Sequence, residues 1–163
     1  MQYAKKLGLS YKGANLMSLL DIFKKKNTDS EPESSQNTLE HDIKASCEWV
    51  IRALNSSGYK ADYTLESMKE VDRFFDEQNT PDGILSNNRG QILFALASYI
   101  GETVIKLYGG KWVIDEDDPN NEINMAVQTS SGSVLWPAKR CMRRYTNGTE
   151  DSIHDYVYVL KKD

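Results

Sequence analysis

The sequence predicts an α+β domain, with four to five helices packed on a small antiparallel sheet of about three strands. Three observations predict it. Apolar residues recur at helical spacing over Leu39–Asn55, Thr64–Glu77 and Arg89–Tyr108. Between Lys111 and Trp136 the pattern changes to alternation, broken by the hairpin loop Ser130-Ser131-Gly132-Ser133. After Pro137 the helical spacing returns. Helices grouped on either side of a block of strands, rather than alternating with them, give the α+β class.

The first stretch, Met1–Asn15, has no clean periodicity. Leu16, Leu19, Leu20 and Phe23 then fall on one helical stripe, followed by Lys24, Lys25 and Lys26. This predicts a short amphipathic helix within residues 1–27 that docks on the body or lies loose, with a membrane-surface role as the alternative. Met17 is a second candidate start, which would leave the first sixteen residues upstream of it. Residues 28–38, polar and rich in Ser and Glu, read as a flexible linker. The α+β domain is expected to occupy 39–163.

In Leu39–Asn55 the stripe is Ile43, Cys47, Val50 and Leu54, and Gly58 is the expected left-handed stop. Thr64 reads as the N-cap of Thr64–Glu77, whose stripe is Leu65, Met68, Val71, Phe74 and Phe75. Arg89–Tyr108 is apolar nearly all round in its first half, which belongs to a helix at the centre of a fold. Gly109-Gly110 stops it. Lys111–Ile114 reads as a strand with Trp112 and Ile114 on one face. Glu122–Thr129 reads as a second strand with Ile123, Met125 and Val127 facing one way. Val134–Trp136 is its return strand. Pro137 suits the first turn of a helix over Ala138–Tyr145, with Met142 and Tyr145 inward and Lys139, Arg140, Arg143 and Arg144 on a basic face. Thr149 is the expected cap of a last helix, Asp151–Leu160, although Tyr156–Leu160 also has strand character.

Composition bounds the function. The net charge is −4, against the basic surplus of a general nucleic-acid binder. Two cysteines far apart, Cys47 and Cys141, form no disulfide framework or zinc spacing and suit buried thiols in a reducing, cytoplasmic setting. No stretch reaches the roughly 20 apolar residues of a membrane span, and no secretory leader is visible. The acidic run Asp115–Asp118 fails as a calcium loop, with Pro119 fifth, Asn120 sixth and Ala126 twelfth. P-loop, dinucleotide-binding, zincin and serine-hydrolase signatures are missing. No catalytic set, metal or cofactor is therefore expected.

Chemistry-bearing candidates remain. Gly101 sits inside a helix, where glycine costs about 1 kcal/mol against alanine, so a neighbouring element is expected to approach closely there. Glu102 beside it is either a structural carboxylate with a partner or a ligand-binding or acid–base group of raised pKa. Tyr99 lies on the same helix. Trp112 and Trp136 are placed on neighbouring strands, as core packing or as a shared partner surface. Arg140 and Arg143 form part of a basic face that is either solvated or binds an acidic protein or nucleic acid.

Taken in order, Tyr99-Ile100-Gly101-Glu102, Gly109-Gly110-Lys111-Trp112, Trp136-Pro137, Arg143 and Asn147-Gly148-Thr149-Glu150-Asp151-Ser152 resemble a group of small bacterial α+β proteins of a domain family without an assigned function. The likeness covers about Ala61–Leu160. It implies an α+β domain and, by the toxin systems near which such proteins are encoded, an immunity role. The expected function is a cytosolic, non-enzymatic protein-binding module of the immunity or regulatory kind. Its alternatives are a small enzyme using Glu102 and a nucleic-acid adaptor using the Arg140–Arg144 face.

Overall fold

The computed structural model describes residues 38–162. The tail 1–27 and residues 28–37 of the linker lie outside them. Thr38, the last linker residue, is a helix cap: its hydroxyl accepts from the His41 N–H.

The described residues form α1 (Leu39–Ser56), α2 (Ser67–Gln78), α3 (Arg89–Tyr108), β1 (Lys111–Val113), α4 (Asn121–Asn124), β2 (Ala126–Gln128), β3 (Val134–Leu135), α5 (Pro137–Asn147) and α6 (Ile153–Tyr158). Short 3₁₀ turns cover Ile84–Ser86, Gly148–Asp151 and Val159–Lys162. This is the α+β fold the sequence predicts, with six helices among the described residues rather than four or five, because α4 is a single turn that the periodicity did not reveal.

The helix α3 is central. Ile92, Leu96, Ile100 and Val104 are fully buried, and it packs against α1 on one side and α5 on another. A helix enclosed on several sides has no polar face to keep, which accounts for its nearly continuous apolar first half. Two glycines end it in left-handed conformations. At Gly110 (φ 116°) the backbone also passes so close to Gln128 that a Cβ would overlap that residue's carbonyl. The turn is therefore compact enough to lay β1 straight onto β2.

The end of α1 forms the expected glycine stop. Gly58 takes φ 84°, its N–H donates to the Asn55 carbonyl at 3.3 Å, and the Tyr59 N–H donates to Leu54 at 3.0 Å. Tyr59 and Leu54 are both buried beneath this turn. Ahead of α2 the prediction needs a correction. Residues 64–66 form tight i→i+3 turns before the α-helix begins at Ser67. Thr64 still caps, accepting from the Ser67 N–H at 3.1 Å.

The sheet is antiparallel in the order β1-β2-β3. Trp112 pairs with Val127, and Val127 with Leu135, on the face turned to the helices. Lys111, Gln128 and Val134 form a row on the opposite face, where Val113 also points. The strand predicted over Glu122–Thr129 is only half strand. Asp118 accepts from the Asn120 N–H and from the Asn124 side chain, winding Asn121–Asn124 into α4. Ile123 is consequently 41% exposed instead of facing the core with Met125 and Val127.

Pro137 opens α5 as its sequence position predicts, and the helix runs two residues past Tyr145 to Asn147. Its inward side is corrected at two places. Met142 is 44% exposed, while Arg144, assigned to the basic face, is 3% exposed. The Arg144 guanidinium donates to the Asp72 carboxylate and carbonyl and to Asp76, all on α2. Asp72 also accepts from Ser152 Oγ and from the backbone N–H groups of Ile153 and His154, each at 2.9 Å. It thus caps α6 from another helix, an arrangement that suits a carboxylate at a helix N-terminus. The local cap is Ser152, not Thr149, which lies in a 3₁₀ turn. Tyr156–Leu160 is helical throughout, with Ile153 and Val157 fully buried.

Candidate functional site

The predicted site residues fall into two separate groups. Tyr99, Gly101, Glu102 and Trp112 form the first. Trp112 lies across Gly101, and a Cβ there would overlap ring atoms Cζ2 and Cη2. The close approach expected at Gly101 is therefore made by the first strand. The indole Nε1–H donates to Glu102 Oε1 at 2.8 Å. Glycine leaves room for the six-membered ring of the indole against the helix, and the next residue supplies the acceptor for its one polar atom. Together they clasp β1 to α3.

Tyr99 is fully buried. Its hydroxyl accepts from the Tyr63 N–H at 3.2 Å and shares a hydrogen bond with Ser67 Oγ at 2.6 Å. Tyr63 has φ 61°, an uncommon conformation for a tyrosine, and this bond helps to hold it. Burial pushes the pKa of Tyr99 up, so it stays a neutral anchor for the α1–α2 connection. Cys47 lies 3.7 Å from the Tyr63 hydroxyl, and Lys106 sits over the Tyr63 ring. Burial, with a smaller contribution from Glu102, pushes the Cys47 thiol up to about 11. A thiol so far from ionisation is no nucleophile at neutral pH. Among the described residues no histidine and no second carboxylate hydrogen-bonds to Glu102, which accepts from Trp112. This arrangement holds structure in place.

Trp136, Arg140 and Arg143 form the second group, and here the structure brings the predicted residues together. With Val134, Lys139 and Tyr156 they line an open hollow of about 280 Å³. Trp112 and Trp136 are not on adjacent strands, because β2 lies between β1 and β3. Continuing the β2–β3 register by one residue sets Trp136 opposite Ala126, which itself pairs with Val113. The outward face of the sheet therefore carries Val113, Val134 and Trp136, at 46%, 42% and 42% exposure.

The cations of this face differ in state. Arg140 is paired with Asp151 and lies over the Tyr156 ring, 4.4 Å from its centroid. Asp151 is held below the ordinary carboxylate range, first by the Asn147 side-chain amide. The Tyr156 hydroxyl accepts from the Trp136 N–H at 2.9 Å, which leaves its own proton available to donate. Lys139 sits 5.7 Å from the centre of the Trp136 ring. Neither Lys139 nor Arg143 has an ion pair within 4.0 Å among the described residues. Hydrophobic groups, a spare hydroxyl proton and two unpaired cations thus converge on one surface.

A further hollow, of about 440 Å³, went unpredicted. It lies between the first half of α3, α4 and α5, and is lined by Leu93, Phe94, Ile123, Ala138, Met142 and Tyr145. The sequence signal for it was weak, since Ile123 and Met142 both fit inward patterns that the fold does not use.

No group of three or more His, Cys, Asp or Glu among the described residues could hold a metal ion. Three of the four carboxylates in the run Asp115–Asp118 accept from backbone N–H groups: Asp115 from Asp117, Asp118 from Asn120, and Glu116 from Leu39. Among the described residues no helix is long and apolar enough to cross a membrane. The chain matches no family model, no curated protein and no solved structure.

Proposed function

We propose that the chain is a non-enzymatic protein-binding module, of the immunity or regulatory kind, that receives an acidic stretch of a partner protein on its outward sheet face. The observation that carries this reading is the convergence of exposed Val134 and Trp136 with unpaired Lys139 and Arg143 around one hollow. Exposed tryptophan, tyrosine and arginine are the residue types enriched where proteins meet. Three cations, Lys139, Arg140 and Arg143, line the hollow beside one carboxylate, Asp151, although the chain as a whole carries −4. A short acidic stretch of a protein can be confined to this one face, whereas a nucleic acid carries a charge on every nucleotide and would run on over the acidic remainder of the surface. Cations around an apolar centre steer an acidic segment into place, and the tryptophan then supplies buried area.

Binding of the full chain to immobilised Asp/Glu-rich peptides, with and without an aromatic residue, tests the proposal against heparin and single-stranded DNA. Docking of an acidic protein segment gives salt-sensitive retention on the aromatic-bearing peptide, lost in Arg143→Glu and in Trp136→Ala. Stronger retention on DNA or heparin than on any peptide would favour the nucleic-acid alternative and overturn this one. Retention unchanged in Arg143→Glu would remove the face from consideration.

A further inference from the structure

The hollow between α3, α4 and α5 lies on a different part of the surface from the Trp136 face. We propose that its occupant is the chain's own N-terminal run Leu16–Phe23, which lies outside the described residues. Leu93, Phe94, Ile123 and Met142 line the hollow, the last two 41% and 44% exposed. A second hollow of about 340 Å³ shares Gly90, Phe94 and Glu122 with the first and extends to Asp42, Ala45 and Ser46 on α1. The two make one trough, running from the start of α1, where the described residues begin, to α5.

Three features fit the run to the trough. The first is apolar content. Leu16, Leu19, Leu20 and Phe23 fall on one stripe at helical spacing, the pattern that an apolar groove receives. The second is charge. Lys24, Lys25 and Lys26 follow the stripe on the side nearer Thr38, and the α1 end of the trough carries Asp42 and Glu122. Arg89, the cation at the other end, is already engaged with the Tyr145 ring and hydroxyl.

The third feature is reach. Residues 27–37 are eleven in number and can span up to roughly 36 Å. Thr38 and Ser46 are separated by only about 12 Å of helix. A connection of this length supplies an effective concentration on the order of millimolar, so an intrinsic dissociation constant of about 0.1 mM seats the run about ten to one. A foreign apolar segment or the same run from a second copy would have to displace it.

Methyl NMR of the full chain tests this, with Met142 as the probe of the trough and fully buried Met68 as the control for the folded body. In the wild type the Met142 methyl is shielded from a soluble paramagnetic agent. In Leu19→Asp/Phe23→Asp it shifts and broadens, while Met68 stays unchanged. Equal broadening of Met142 in the two proteins would overturn the proposal, because the trough would then be empty in both. A Met142 shift that depends on protein concentration would also overturn it, by assigning the trough to the run of a second copy. Movement of Met68 along with Met142 would count against it, since the effect would then be on folding.

Discussion

Gly101→Ala is the substitution whose outcome depends most sharply on the clasp between α3 and β1. In a helix without neighbours it would stabilise by about 1 kcal/mol, through helix propensity alone. Here the new methyl group would occupy the space of the Trp112 ring. Overpacking of this kind costs roughly 1–3 kcal/mol. The ring can yield only by lifting its Nε1–H away from Glu102, and a hydrogen bond to a charged group contributes about 1.5–3 kcal/mol, less here because Glu102 is half-exposed. The sum is a net destabilisation of about 1–4 kcal/mol. Urea denaturation of the wild type, Gly101→Ala, Trp112→Ala and the double variant measures it. In the Trp112→Ala background the same glycine substitution should become stabilising by about 1 kcal/mol, because only propensity is left. A loss of equal size in both backgrounds, or no loss in the wild type, would refute the clasp.

Two further outcomes can be checked on stability. Asp72→Ala removes one of the two carboxylates that hold buried Arg144, leaving Asp76, together with the acceptor shared by Ser152 and the first N–H groups of α6, and should destabilise by about 2–4 kcal/mol in denaturant titrations; a loss below about 1 kcal/mol would show that the network is not holding the helices together. The Cys47 thiol, raised to about 11, and Tyr59, also raised, first by burial, bind their protons more tightly folded than unfolded. Their contribution is complete below the unfolded values near 9 and 10 and is lost as pH rises through the folded ones. Stability should therefore decline from about pH 9 upward, and Cys47→Ala should flatten the first part of that decline; a level profile to pH 11 would contradict the burial of these groups.

Periodicity made the helices legible. The bounds of Arg89–Tyr108 follow from an apolar run with glycines after it, and the Gly58 stop follows from the left-handed turn that α1 requires. Gly101 could be read as a point of close approach because glycine within a helix is costly unless a neighbour needs the room. What could not be read depended on partners far away in sequence. Arg144 looks like part of a basic face until Asp72 and Asp76, on α2, draw it inside. Thr149 looks like a cap, but Ser152 takes that role where Asp72 supplies the rest. Ile123 alternates like a strand residue, yet Asp118 captures the backbone ahead of it and turns the chain into α4. The separation of Trp112 from Trp136 follows from strand order, which spacing does not encode. Of the candidate residues, Trp136, Arg140 and Arg143 do lie together, because one turn of α5 follows directly from β3.

The tryptophan indole signals provide the most direct measurement of the proposed docking face. Trp49 is buried, Trp112 is tied to Glu102, and Trp136 stands exposed beside Lys139. Titrating the full chain with an Asp/Glu-rich peptide that carries one aromatic residue should move the Trp136 Nε1–H resonance and leave the other two in place. The movement should shrink with added salt and vanish in Arg143→Glu. If Trp112 or Trp49 moves while Trp136 does not, or if none of the three responds, an acidic partner does not dock on this face.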